Sequence, residues 1–91
     1  MGRFIFVVKW QKRIDGEEDG GNFKVCYANG ADACKAMVED YESTLREWSK
    51  RIPEGKKAEL STSNTDFRAI TLPFGTYDYH NWYIDKLEIQ N

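Results

Sequence analysis

A single histidine, His80, is the side chain in this sequence best suited to general acid–base chemistry. Asp78 lies two positions earlier, so both side chains would point to the same face of a strand. Ser61 or Ser63 would then supply a nucleophile. Nucleophilic catalysis also needs an oxyanion hole and a turn that presents the nucleophile, and the local sequence indicates neither. An enzyme centred on His80 is therefore our third hypothesis, and we predict no catalytic residue.

Two groups of potential metal ligands do not have the number and spacing of ligands that a metal site requires. The acidic segment 15–19 and Gly20 match the first half of a calcium loop, but the required twelfth-place Glu is replaced by Cys26. A structural zinc site needs four ligands, usually in two short-spaced pairs, and only Cys26, Cys34 and His80 are available. We predict no metal and no cofactor, and we expect both cysteines to be reduced and buried.

The composition is that of an ordinary folded chain. Its 91 residues, 41% hydrophobic and 31% charged, predict one domain spanning residues 1–91. The net charge of −2 gives no general attraction to nucleic acid or to an anionic membrane. No apolar run approaches the length of a secretory signal or of a membrane span, so we expect a cytoplasmic protein without membrane contact.

The segment 77–83 is the most unusual part of the sequence, because four of its seven residues are aromatic. Tyr and Trp give a large contact area at low entropic cost and are enriched in recognition surfaces. Since one helix can cover only one face of a sheet, aromatic side chains should remain exposed on the other face. We predict a non-enzymatic module that binds another protein or a second copy of itself, and that Trp82→Ala or Tyr79→Ala abolishes binding without unfolding the chain. The predicted contact residues are Tyr77, Tyr79, His80, Trp82 and Tyr83.

The charge distribution supports an alternative hypothesis. Residues 15–19 form an acidic block, while basic residues concentrate near the end of the predicted helix, with Lys9, Lys12 and Arg13 on the first hairpin. Exposed aromatics that stack on bases, together with Lys and Arg that meet phosphates, would form a single-stranded nucleic-acid site. The residues assigned to that site are Lys9, Trp10, Lys12, Lys50 and Arg51, with Tyr79 and Tyr83.

Strands are predicted before and after one helix. Residues 3–13 alternate as a strand, with an apolar first half typical of a position inside a sheet. Residues 15–22 are predicted to form a long acidic hairpin loop, and the strand pattern resumes at 23–27. Asn29 is typical of a helix cap, and apolar residues at spacings of three and four continue to Ile52, before Pro53.

The last third predicts three more strands, around 58–62, 67–72 and 79–89. We expect a bulge near Asp85 that turns Leu87 and Ile89 toward the core. The resulting order, β-β-α-β-β-β, predicts an α+β fold: an antiparallel sheet of four to five strands with one helix packed on one face. Small acidic, aromatic-rich chains of this class are common among accessory proteins of phages and mobile elements, and by that analogy of size and composition we expect such a role.

Overall fold

A computed structural model describes residues 3–89 of the chain. One helix and five strands follow in the predicted order, and all paired strands are antiparallel, so the predicted α+β fold is confirmed. The strand order in the sheet is β2-β1-β5-β4-β3. The elements are β1 (Arg3–Ile14), β2 (Glu17–Tyr27), α1 (Gly30–Ser49), β3 (Glu59–Ser61), β4 (Phe67–Thr71) and β5 (Tyr79–Ile89).

The first hairpin is tighter than the sequence pattern predicted. Asp15 and Gly16 both have positive φ, 53° and 83°, and Ile14 pairs directly with Glu17. A two-residue turn with positive φ at both positions matches the twist of the strands it joins, and Asp-Gly is a preferred sequence for it. The predicted long loop is therefore wrong: most of the acidic segment belongs to β2.

The helix begins at the predicted cap. The Asn29 side chain accepts a hydrogen bond of 2.8 Å from the Asp32 amide, which satisfies one of the free N–H groups of the first turn. Four side chains that lie along one stripe of α1 are buried against the sheet, namely Ala33, Met37, Tyr41 and Trp48. The helix ends at Ser49, slightly before the predicted end at Ile52.

We call the helix-covered side of the sheet the inner face and the opposite side the outer face. Val8, Trp82 and Ile70, on three neighbouring strands, are 0% exposed and form the centre of the inner face with α1. Because successive side chains of a strand point to opposite sides, the even positions of β1, β4 and β5 face inward and the odd positions face outward.

The predicted bulge in β5 is absent. The pairing of β5 with β1 is continuous from Arg13↔Tyr79 to Arg3↔Ile89. The alternation therefore continues, and Leu87 and Ile89 lie on the outer face, 41% and 37% exposed, instead of in the core. The irregularity lies between β1 and β2, where the register shifts between Val7 and Lys9.

The sheet narrows toward the end where β1 starts and β5 finishes. The pairing of β1 with β2 begins at Phe6, and β4 begins opposite Tyr83. Beyond these points the sheet is a two-stranded ribbon, which contributes to the elongated dimensions of 53 × 23 × 18 Å.

Within residues 3–89, the helix lacks the length of apolar sequence that a membrane crossing requires.

Candidate functional site

The histidine proposed for chemistry lies on the inner face among three tryptophans. The His80 ring stacks on Trp82 with a centroid distance of 3.8 Å, and the Trp10 and Trp48 rings are 6.0 and 6.2 Å away. Burial lowers the pKa of His80 to about 4, because the indoles replace the water that would solvate the imidazolium. His80 is therefore neutral at pH 7, and its buried Nε2 atom has no hydrogen-bond partner among residues 3–89.

Trp82 belongs to the core. It is 0% exposed, its Nε1 donates a 2.7 Å hydrogen bond to Asp40, and Tyr41 meets it edge-on at 5.7 Å. Two predicted contact residues, Trp82 and His80, thus lie on the inner face beneath α1, where Trp82 is fully buried and His80 is half-buried. The expectation that Trp82→Ala leaves the fold intact does not agree with this burial.

Asp78 does not orient His80. Its carboxylate, 1% exposed, accepts hydrogen bonds from the Asp15 amide at 2.9 Å, from Thr76 Oγ1 at 2.6 Å and from Arg51. Burial by itself raises the pKa of this carboxyl, but the three hydrogen bonds and the Arg51 charge outweigh burial and lower the pKa below its ordinary value. Asp78 therefore joins the hairpin turn, the loop before β5 and the end of α1.

Ser61 is not brought to His80 either. Ser61 pairs with Ala69, which pairs with Asn81, so this row of residues lies on the outer face. His80 points inward from the neighbouring position, and the sheet separates the two side chains. The contacts of the His80 ring are packing contacts with tryptophan rings.

The outer face carries an aromatic and aliphatic surface that no helix or second sheet covers within residues 3–89. Tyr83 is 37% exposed and lies directly between Phe67 of β4 and Lys9 of β1. Further along, Leu87 pairs with Ile5, and Ile89 follows on the same face. We call the residues Ile5, Phe67, Tyr79, Tyr83, Leu87 and Ile89 the outer patch.

An ion pair lies within this surface. Lys9 Nζ and Asp85 Oδ2, on adjacent strands, are 2.8 Å apart, and each side chain is more than one third exposed. The hydrogen bond to Asp85 and the attraction of its charge raise the pKa of Lys9. Both side chains point to the outer face, so a neutralised pair of charges lies beside the outer patch.

Tyr77 combines exposure with a costly backbone conformation. Its side chain is 59% exposed, and its φ of 55° lies in the left-handed region that favours glycine. The residue ends a turn in which its N–H bonds to the Phe74 carbonyl at 3.2 Å. Backbone strain of this kind occurs often at functional sites.

The residues assigned to nucleic acid do not form one surface. Lys9 lies on the outer face, whereas Trp10 and Lys12 lie on the inner face. Lys12 Nζ lies 5.2 Å from the Trp10 ring centroid, which adds a cation–π contact to the inner aromatic cluster. Arg51 is paired with Asp78 and lies over Trp48, and Lys50 is an exposed residue just after α1.

The cysteines do not match the buried positions predicted for both. Cys26 is exposed and pairs with Val7, and Cys34 is half-buried near the start of α1; both thiols are free. Cys34 lines an open, mostly apolar cleft of about 500 Å³ with Phe6 and Ile84. No cluster of three or more metal-ligating side chains occurs within residues 3–89.

Most of the outer patch lies outside the predicted contact residues, which do not include Ile5, Phe67, Leu87 or Ile89. The available signal was the alternation of β5: continued without a bulge, it places positions 79, 83, 87 and 89 on one face. Tyr79 and Tyr83 are the predicted contact residues that this face does present.

A scan of protein-family models and searches of curated proteins and of solved structures gave no match to this chain.

Proposed function

We propose that this chain is a non-enzymatic module that recognises another protein through the outer patch and Tyr77. The observation that carries the proposal is the row of large side chains on a sheet face that no other element covers in residues 3–89. Exposed apolar groups in a contiguous arrangement are typical of interaction sites, since a folded chain gains nothing from leaving them in water.

The chemistry of the outer patch favours a protein partner over nucleic acid. Leu87, Ile89 and Ile5 are aliphatic and offer neither a stacking platform for bases nor a donor for phosphates. Lys9, which lies opposite Tyr83 on the neighbouring strand, is already neutralised by Asp85. Aliphatic residues with flanking tyrosines are suited to the apolar centre of a protein interface.

The test is capture of a partner by immobilised protein from extracts of cells that make it. We expect Tyr83→Ala to reduce the captured partner at least tenfold, because an anchor at an interface centre contributes about 2 kcal/mol or more. Leu60→Ala is the matched control, since Leu60 is 50% exposed but belongs to β3, outside the outer patch. Circular dichroism should show that both variants remain folded. Equal capture by wild type, Tyr83→Ala and Tyr79→Ala would contradict the proposal.

The nucleic-acid hypothesis keeps one supporting observation, the placement of Lys12 and Arg51 over the Trp10 and Trp48 rings. If those indoles bind bases, single-stranded oligonucleotides will quench tryptophan fluorescence, and the effect will weaken steeply with salt. Our proposal predicts no quenching at low salt. Salt-sensitive quenching that Lys12→Ala removes would favour the nucleic-acid function instead.

A further inference from the structure

The last five residues of β5 have one edge that no other strand pairs with in the described part of the chain. Pairing with β4 stops at Phe67↔Tyr83, and the final hydrogen bond on that side joins the Ile84 amide to the Asp66 carbonyl at 2.9 Å. Within residues 3–89, the segment Asp85–Ile89 pairs with β1 alone. An unpaired strand edge is a template for the addition of another strand.

The direction of the free backbone groups follows from the same hydrogen bond. The Ile84 N–H points toward the β4 side, and backbone direction alternates along a strand, so the N–H and C=O groups of Lys86 and Glu88 point the same way. Both residues are exposed. Any strand that adds here must therefore pair with Lys86 and Glu88.

The sequence of this edge is complementary to itself. In an antiparallel pair of two copies centred on Leu87, Lys86 of each copy faces Glu88 of the other, and Asp85 faces Ile89. Centring the pair on Lys86 or on Glu88 would instead place like charges directly opposite each other, which is destabilising. The outward-pointing backbone groups also match, because Lys86 and Glu88 are the residues that must exchange hydrogen bonds.

We propose that this edge binds a second copy of the chain, in an antiparallel β5–β5 pair with a two-fold axis at Leu87. A two-fold contact of this kind is self-complementary and closed. The axis runs perpendicular to the sheet, so both helices lie on one side and both outer patches join on the other. The inference deepens the proposed function by naming one partner, and its test is independent of any capture from extracts.

Exposed apolar groups supply the contact between the facing strands. Leu87 occupies a non-hydrogen-bonded position, where facing side chains approach most closely, and it would meet Leu87 of the second copy. Ile5 pairs with Leu87 within each copy and extends the apolar surface. Because a five-residue edge is small beside interfaces of about 1,200–2,000 Å², the dimer should be weak and concentration-dependent.

Sedimentation velocity over a wide concentration series tests the inference. We expect wild type to pass from monomer to dimer, and Lys86→Glu or Glu88→Lys each to weaken association at least tenfold by creating like-charge pairs. An equimolar mixture of the two variants restores both opposite-charge pairs, and so does the double exchange on one chain. Lys57→Glu, at an exposed position just before β3, is the control with the same change of charge as Lys86→Glu.

Glu88→Lys is the more informative single variant. Lys86 Nζ also lies 4.1 Å from the Phe4 ring centroid, so Lys86→Glu removes a contact within the chain as well. Thermal unfolding followed by circular dichroism separates the two effects. A wild type that stays monomeric at all concentrations overturns the inference, as do single variants that dimerise normally or a mixture that fails to regain association.

Discussion

The two faces of this sheet are built from the same strands but have opposite surroundings. Trp82 and Tyr83 are adjacent in the chain, yet Trp82 is fully enclosed beneath α1 and Tyr83 is 37% exposed on the outer face. The inner face is closed by hydrogen-bonded and stacked aromatics, while the outer face presents tyrosine, phenylalanine and aliphatic groups to solvent. The comparison shows that strand parity decides which aromatic residue stabilises the fold and which is available for recognition.

The largest expected effect comes from truncating one aromatic residue on each face. Trp82→Ala should lower the free energy of unfolding by about 3–5 kcal/mol, because it leaves a large cavity and removes the hydrogen bond that Trp82 Nε1 donates to the Asp40 carboxylate. Tyr83→Ala should cost about 1 kcal/mol or less, since its side chain is partly solvated. Urea denaturation of the two variants measures the difference. Similar losses at both positions would remove the distinction between the faces.

Charge pairs give the next largest contrast. Asp78→Asn should cost on the order of 3 kcal/mol, because a buried carboxylate that accepts three hydrogen bonds loses its charge opposite Arg51. Asp85→Asn, in the exposed pair with Lys9, should cost far less, since solvent already screens that pair. Thermal melts of both variants at low and high salt compare them. A larger loss for Asp85→Asn would contradict this ordering.

The pH dependence of stability tests the inner face alone. The pKa of His80 falls from an ordinary 6.5 to about 4 on folding, so the unfolded chain binds the proton more readily. The contribution of neutral His80 to the free energy of unfolding is therefore complete above pH 6.5 and is lost as pH falls toward 4. After allowance for the partial exposure of the ring, we expect a loss of about 1 kcal/mol between pH 7 and pH 5.

His80 is the only histidine, so His80→Phe should flatten the profile in this window. Asp78, whose pKa is lowered, contributes stability above its ordinary value of 3.8 and loses it only at more acidic pH. An unchanged slope in His80→Phe, measured by urea unfolding at each pH, would assign the dependence to other groups.

The smallest effect extends the comparison to the loop before β5. Tyr77→Gly should raise the free energy of unfolding by about 0.5–1 kcal/mol at most, because glycine adopts a φ of 55° without the steric cost borne by tyrosine. If Tyr77 serves recognition, the same variant should lose partner binding while its melting temperature holds or rises. Loss of stability would indicate that the Tyr77 side chain supports the fold instead.

Local patterns predicted the elements more accurately than the site. The spacing of Met37, Tyr41 and Trp48 predicted an amphipathic helix, and the Asn29 cap was confirmed. The acidic residues after Gly16 were predicted to lie in a loop because they are polar, although Asp15-Gly16 is itself the signal of a two-residue turn. In an edge strand such as β2, polar residues are compatible with pairing, because one side of the strand remains in water.

The candidate site depended on information that the sequence pattern does not contain. The segment 77–83 was identified as aromatic, but its members divide among a strained turn, the core and the outer face. The bulge predicted near Asp85 placed Leu87 and Ile89 on the wrong face of the sheet, because a shift of one residue exchanges the two faces of a strand. Only the continuous pairing of β5 with β1 fixes that parity.

The amino-acid sequence alone determined the helix, the order of the elements and the α+β class, because these follow from periodicity, caps and turn residues close together in the chain. The tertiary structure decided that β5 lies between β1 and β4, that His80 packs among three tryptophans, and that within residues 3–89 the end of β5 has a free edge. These features depend on contacts between residues far apart in the chain, such as Lys9 with Asp85 and Trp82 with Asp40. Strand pairing and burial, rather than local preference, therefore separate the core aromatics from those available to a partner.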